Sequence, residues 1–539
     1  MTKNYAAFFI SSVLILLLWF WLNPPAPQAP QQHPAAAAEA QIQREISYER
    51  PAPQAAALRH DHAQALENLQ VDEQEFVIET EKYKVVLTNR GAAIRSFMIR
   101  EVSGLVDLVA EGSPPVMANF PGANFAVNQI AENILEFTHA SPQGWTVVKT
   151  YTFSKTDFLH DLQIELHRTH EEARLPGIDV SWGPGLGTAE SELRENLSVT
   201  RVTALPRTPG ERLRNFRNVM SEPADLFRWA AIDNRYFLVA FIPERPADFS
   251  AVTSSRRDRN SPYTVTLNSE GGGNENMRVY NLRFYVGPKG YSFLRTYGLG
   301  LEHTVEFGRW FSFLGRTALS ALMYLYGITG NFGWAIIMLT VMIQILVFPL
   351  TLKSFRATAA MKHIQPKIKE IQAKFKQDPQ RLSAEMMNLY KTQKVNPLGG
   401  CLPMLLQLPI FWAFFTMLRN AYEIRNAPWI LWVSDLSMPD ALTQIGGVNL
   451  NVLPLVMGLG MFFQQRMTAV TADPMQQKIM MWLPVIFTFM FWRFPSGLVL
   501  YWLTNSICSM TVQFFVLKKD AKNRAAQTLT PAGGGRKHA

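Results

Sequence analysis

The sequence predicts an all-β, water-exposed domain followed by an α-helical, polytopic membrane domain, with six spans of which five form the core. Three observations predict it. Apolar residues make up 48% of the 539 residues but concentrate after about Trp310. Before that point, short runs alternate apolar with polar residues; beyond it, long runs are apolar throughout. The basic residues cluster in two segments of the second half, where they separate or follow the apolar runs. A chain of this length exceeds one ordinary domain, so the change in pattern reads as a domain boundary.

The first 22 residues hold an apolar run from Tyr5 to Leu22 behind Lys3. Signal-peptide cores run to roughly 7–15 residues, so this longer run is read as an uncleaved anchor. Residues 23–70 are rich in Pro, Ala and Gln. Such a composition cannot bury enough apolar surface to offset ordering entropy and is expected to be a tether. Residues 71–302 carry the β pattern: Tyr83, Val85 and Leu87 alternate with polar neighbours, as do Leu162, Ile164 and Leu166, and Tyr263, Val265 and Leu267. Period-two alternation broken by Gly, Pro, Asn and Asp predicts a β-sandwich. The run Gly271-Gly272-Gly273 is read as a turn, and His167 with His170 lacks a third ligand, so no metal site is expected. The domain has no cysteine; Cys401 and Cys508 both fall in apolar stretches.

Between 303 and 330, Phe307, Trp310, Phe311 and Leu314 recur at helical spacing with Arg309 and Arg316 among them. That pattern predicts an amphipathic helix lying in a membrane interface. The core, residues 331–517, is expected to span at Trp334–Leu350, Leu398–Leu418, Leu450–Phe463, Ile479–Trp492 and Leu498–Leu517, none of which contains Lys, Arg, Asp or Glu. The third and fourth of these are short, with about 14 apolar residues where roughly 20 cross an ordinary hydrocarbon core. Either they thin the bilayer locally or flanking residues lengthen them.

The +9 net charge is local. Leu352–Asn396 carries +7 and Lys518–Ala539 carries +5, leaving the rest at −3. By the positive-inside rule both segments face the cytoplasm, as does the N-terminus, and the β domain faces outward. In residues 352–396, Met361, Ile364, Ile368, Ile371 and Phe375 form one apolar stripe, Asp378-Pro379 starts a second helix, and Leu382, Met386 and Leu389 mark its face. The basic residues of this hairpin, among them Lys362, Lys367, Lys369, Lys374, Lys376 and Arg381, form either a solvated face or a docking surface for ribosome, targeting factor or anionic lipid. The basic tail, residues 518–539, is a second such segment.

With no charge in the spans, uncharged polar groups stand out: Gln344, Gln407, Gln464 and Gln465, and Thr504, Asn505 and Ser506. An amide in hydrocarbon needs a partner or water. Such residues either bond helix to helix or together line a wet cavity. No phosphate-binding Gly-rich loop with Lys occurs, no carboxylate pair stands in a catalytic motif, and no cofactor is implied. Two rivals are weighed: a secondary transporter with an exported sensing domain, and an anchored carbohydrate-active enzyme. Coupled transporters usually place ionisable groups in their spans, and here there are none.

The stretches Asn396-Pro397-Leu398-Gly399-Gly400-Cys401, Gln407-Leu408-Pro409-Ile410-Phe411, Asp473-Pro474-Met475-Gln476-Gln477-Lys478-Ile479-Met480 and Phe494-Pro495-Ser496-Gly497-Leu498-Val499-Leu500-Tyr501-Trp502, in this order around a basic hairpin, resemble the YidC membrane protein insertase family over about Phe307–Leu517. The anchor and large β domain resemble its Gram-negative form, whose periplasmic domain is a β-supersandwich. The resemblance implies a non-enzymatic insertase and chaperone of the inner membrane, working on nascent membrane proteins alone or beside the Sec translocon. It implies a hydrophilic groove open to cytoplasm and lipid, lined here by Gln407, Gln464 or Gln465, Tyr501 and Trp502. The family commonly carries an arginine a few residues before Pro-Leu-Thr; here Phe348-Pro349-Leu350-Thr351 is intact and Gln344 stands at that position.

Overall fold

The structure is a computed structural model that describes residues 72–189, 192–216, 220–256, 261–273, 275–308, 312–395, 402–445, 448–468 and 474–528. The chain divides into two compact units, with the boundary between Val305 and Glu306. The expected anchor, tether and C-terminal end of the basic tail lie outside the described residues, as do Arg309, Trp310, Phe311 and the Asn396–Cys401 motif.

The first unit is built from β1 (Glu75–Glu79), β2 (Tyr83–Thr88), β3 (Ala93–Glu101), β4 (Gly104–Asp107), β5 (Ala126–Ala131), β6 (Ile134–Ser141), β7 (Trp145–Thr152), β8 (Leu159–Arg168), β9 (Asp179–Trp182), helix α1 (Leu193–Val199), β10 (Arg201–Pro206), β11 (Arg214–Phe216), β12 (Met220–Pro223), β13 (Phe227–Asp233), β14 (Phe237–Pro243), β15 (Ala251–Ser255), β16 (Thr264–Asn268), β17 (Met277–Pro288) and helix α2 (Tyr291–Thr296). Nine strands form one sheet in the order β11-β10-β13-β14-β17-β8-β7-β6-β5, flanked by the four-stranded sheets β1-β2-β3-β4 and β12-β15-β16-β9. The alternating residues are the ones buried: Tyr83, Val85 and Leu87, then Leu162, Ile164 and Leu166, then Val265 and Leu267. All seven residues of β14 are buried, because this inner strand is covered on both faces and alternation is lost. The Gly271 segment lies directly against Gly177, where an added Cβ would come within 2.6 Å of the Gly177 nitrogen. Glycine there permits backbone to approach backbone.

This unit buries charge. Asp233 is fully buried and accepts from Lys289 Nζ at 2.7 Å and from Arg201 at 3.2 Å, while Arg201 also donates to the Thr304 carbonyl at 2.7 Å. Burial pushes the Lys289 ammonium down to about 8, against the opposing pull of Asp233. Lys149 is fully buried, donates to Met117 O and to Asn119 Oδ1 and lies over the Tyr151 ring; burial holds it well below the usual lysine range. His160 sits among Tyr83, Phe97, Phe153 and Phe284, and burial lowers its pKa to about 3.

The second unit is helical: α3 (Ser312–Thr329), α4 (Phe332–Lys374), α5 (Pro379–Thr392), α6 (Leu402–Asn420), a small hairpin of β18 (Thr443–Ile445) and β19 (Val448–Leu450), then α7 (Val452–Thr468), α8 (Pro474–Phe491) and α9 (Ser496–Thr528). Helix α3 starts later than the amphipathic pattern predicts. His303 lies in a 3-10 turn, and Phe307 is a buried residue of the connecting segment whose side chain packs against Gly315. The Gly308 φ of +83° interrupts helical geometry at that point.

Among the described residues, Phe332–Lys374 and Ser496–Lys518 are long and apolar enough to cross a membrane, and Met481–Phe491 is a shorter apolar helix. Helices of 19, 17 and 18 residues occupy the other expected core spans. The two expected to be short include flanking residues at one end, and their 17 and 18 described residues rise about 26 Å, against about 30 Å for an ordinary hydrocarbon core. They pair closely: a Cβ on Gly458 would lie 1.9 Å from Thr488 Oγ1.

The first core span and the first helix of the basic hairpin are one continuous helix. α4 runs unbroken for 43 residues, through Pro349 and Pro366. Each proline removes one N–H, leaving the Ile345 and Lys362 carbonyls without their helical donors. The second hairpin helix starts as its sequence indicates, with the Asp378 side chain accepting from Arg381 N at 3.0 Å and Pro379 at the first position.

Candidate functional site: a polar seam between apolar helices

The first span is capped by Asn331, whose side chain accepts from Gly333 N at 2.9 Å and Trp334 N at 3.3 Å. From there α4 carries an apolar outer face and one polar stripe. At 100° per residue, Thr340, Gln344, Thr351, Ser354, Thr358 and Lys362 fall within about 80° of one another. Thr340, Thr351, Ser354 and Thr358 are buried. The three threonine hydroxyls donate to carbonyls one turn back, at 2.7 to 3.1 Å, which removes their need for another partner. Gln344 is too long for that solution. Its Nε2 donates across to Asn505 Oδ1 of α9, the helix against which α4 packs most extensively.

A second amide crosses to the same helix. Gln407 Nε2 of α6 donates to the Tyr501 hydroxyl, and the Tyr501 ring, 1% exposed, stacks on Phe414 at 4.4 Å. Tyr501 and Asn505 are four residues apart, so they follow each other along one face of α9 and receive Gln407 and Gln344 in turn. Beside them, Trp502 joins an aromatic cluster with Phe411 at 5.3 Å, Phe491 at 5.4 Å and Phe487 at 5.7 Å, holding α6, α8 and α9 together. Gln464 and Gln465 are half-buried in the last turns of α7.

The structure thus joins Gln344 to Asn505 and Gln407 to Tyr501, and sets Trp502 in a packed cluster. The polar residues the sequence reading passed over are the α4 hydroxyls and Gln513, which is 1% exposed on α9. The signal for the former was present, since polar positions four, seven, three, four and four apart trace one helical stripe.

The basic residues separate into two kinds. Lys367, Lys369, Lys374, Lys376 and Arg381 are exposed. Lys362 is half-buried and donates to the Met467 carbonyl at 3.2 Å, at the C-terminal end of α7.

Apolar helices knit by uncharged polar bonds, two of them long and apolar enough to cross a membrane among the described residues, with a separate β-rich unit ahead of them, define a helical membrane protein. Comparison with known proteins narrows this. Residues 324–523 match the family model of the 60Kd inner membrane protein, and residues 103–319 match that of the YidC periplasmic domain. The membrane protein insertase YidC of Endomicrobium trichonymphae is 55% identical over 458 residues, covering 85% of this chain and 87% of that one. That of Syntrophus aciditrophicus is 33% identical over 530 residues, covering 92% and 91%. A solved active YidC insertase with its first transmembrane domain resolved is 18% identical, with 83% of this chain and 93% of that chain covered and a TM-score of 0.39. The chain belongs to the YidC membrane protein insertase family. Membership makes it an inner-membrane insertase and not an enzyme, and sets aside the transporter reading.

Proposed function

We propose that the chain inserts nascent membrane proteins through a hydrophilic groove centred on the polar seam, lined by Gln344, Gln407, Gln464, Gln465, Tyr501, Trp502 and Asn505. The observation that carries this is the pair of amide bonds to successive positions of α9, Gln344 to Asn505 and Gln407 to Tyr501. A primary amide has one acceptor oxygen and two donor hydrogens. One bond therefore leaves Gln344 and Asn505 with capacity to receive a passing polar segment. That capacity lowers the cost of carrying backbone through hydrocarbon. The apolar burial of the substrate's own span drives insertion, without nucleotide.

In this reading α4, α6, α7, α8 and α9 are the five core spans and Tyr5–Leu22 is the sixth. The 352–396 hairpin and the tail face the cytoplasm, and the β unit of residues 71–302 is periplasmic. Residues 303–330 lie along the interface. The exposed Lys367, Lys369, Lys374, Lys376 and Arg381 meet ribosome, targeting factor or anionic lipid, and the Sec translocon is a partner for larger substrates. Because Gln344 is neutral, the groove works by hydration and hydrogen bonding and not by attracting acidic tails.

The test places a photo-crosslinking residue at Trp502, and separately at Gln344, and challenges the protein with a stalled nascent chain of a small single-span protein. Adducts that disappear on release of the chain are expected. A folded protein giving no adduct at either position would remove the groove.

A further inference from the structure

The loop between α6 and α7 has no role in the seam, yet its described residues are tied to several helices. Its residues 427–440 meet the starts of three helices. Asn331, the cap of α4, donates to the Trp429 carbonyl at 3.2 Å, and Gly333 admits the Trp429 ring so closely that a Cβ there would lie 2.0 Å from Cδ1. Asp440 accepts from Leu453 N at 2.8 Å in the first turn of α7. The Leu436 and Met438 carbonyls accept from Gly497 N at 2.9 Å and Ser496 N at 2.8 Å at the start of α9. One platform therefore fixes the N-terminal ends of α4, α7 and α9 at a common level.

From this platform an apolar tip projects. Trp429 N bonds to Val433 O at 3.0 Å, closing a tight turn over Ile430, Leu431 and Trp432. Leu431 is 85% exposed with φ +55°, and Ile430 is 38% exposed. A leucine held in the left-handed region is strained, and fully exposing it wins no burial in return. The Trp432 indole is anchored by Asp440 Oδ2 at 3.1 Å, so the turn is held and does not collapse onto the bundle.

We infer that the Ile430–Leu431 tip is a lipid-contacting anchor, seated at the headgroup–acyl boundary of the leaflet at the N-terminal end of α4. The occupant is argued from continuity. Trp334, in the first turn of α4, meets Trp429 edge to face at 5.9 Å. Below it, Met338, Met342, Ile345 and Leu346 form the exposed apolar face of the span. The tip continues that lipid-facing surface upward at the level where Trp side chains favour a membrane interface. A fixed anchor at this level sets how deep the starts of α4, α7 and α9 lie.

The test uses full-length protein with Cys401→Ser and Cys508→Ser, and one cysteine introduced as Leu431→Cys, labelled with an environment-sensitive fluorophore. The protein is reconstituted in phosphatidylcholine–phosphatidylglycerol vesicles. Ile345→Cys serves as the lipid-exposed reference and Val102→Cys, at a β-unit residue 93% exposed, as the aqueous one. Expected at Leu431→Cys is a blue shift toward that of Ile345→Cys, protection from aqueous iodide, and stronger quenching by lipid spin-labelled near the headgroup than near the chain end. Iodide quenching like that of Val102→Cys would overturn the inference by placing the tip in water. Shielding from both iodide and spin-labelled lipid would overturn it in favour of a protein occupant, such as a second copy of this chain.

Discussion

The two units bury polarity in opposite ways. The β unit encloses full charges: Asp233 and Lys149 are fully buried, and Lys289 nearly so. The buried polar groups described within the expected spans are amides and hydroxyls, bonded pairwise or to their own backbone. The difference follows from what each unit can place around a polar group. A sandwich of non-local strands brings a carboxylate, a guanidinium and carbonyls to one point, so that a buried ion is paired and its remaining sites are filled. A membrane helix has its own carbonyls satisfied and faces lipid on one side, so a charge there has few partners. Neutral amides need fewer bonds and tolerate an incomplete set.

The largest way to break this comparison is to orphan a buried ion. Asp233→Ala leaves Lys289 and Arg201 without their shared carboxylate, and should destabilise the β unit by about 3–5 kcal/mol. Hydrogen exchange of the β13, β14 and β17 amides in the full-length protein reads this directly. A loss below about 1 kcal/mol would show that these charges contribute no more than the membrane amides do.

Next in size is a pH effect confined to the β unit. The folded His160 pKa of about 3 lies below the ordinary 6.5, so the unfolded state binds more protons between those values. Stability from the neutral ring is complete above pH 6.5 and is lost as pH falls toward 3. At pH 5.5 the loss is about 1.4 kcal/mol. Exchange protection in β8 should fall between pH 7.5 and 5.5, and His160→Phe, which suits the surrounding rings, should flatten that slope. An unchanged slope in the variant would assign the effect to another group.

These contrasts also show how far the sequence was legible. Alternation at Tyr83, Val85 and Leu87 announced strands because one face is buried and the other is not. β14 gave no such rhythm, being covered on both sides. The order of the large sheet was hidden, since Leu162 of β8 pairs with Leu282 of β17 and no local pattern encodes so distant a partner. Gln344, Gln407 and Asn505 were recognisable as polar groups out of place, and Tyr501 only through the family resemblance. Their pairing was not, because hydrophobic periodicity locates a face and not the residue opposite it. The span at Trp334–Leu350 and the Met361–Phe375 stripe were each legible, but not their continuity: one helix, α4, carries both through Pro349 and Pro366.

A smaller effect sharpens the membrane side. Gln407→Leu leaves the buried Tyr501 hydroxyl unpaired, and should cost about 1 kcal/mol in bicelle unfolding. Tyr501→Phe should cost about as much, and the double variant less than the sum. A coupling above about 2 kcal/mol would place this amide among the strong interactions and erase the contrast with the β unit.

The smallest effect concerns Lys362, which stands apart from the other basic residues of its hairpin. Its ammonium meets the Met467 carbonyl in the last described turn of α7, where the helix dipole favours a cation. Lys362→Met should therefore fray the last turn of α7 at a cost of about 0.3–1 kcal/mol, less at high salt. Binding to anionic vesicles or ribosomes should weaken less than on substituting Lys367 or Lys369, which are exposed. Equal losses at all three positions would mean that the Met467 contact yields whenever a partner arrives, and that Lys362 belongs to the docking face after all.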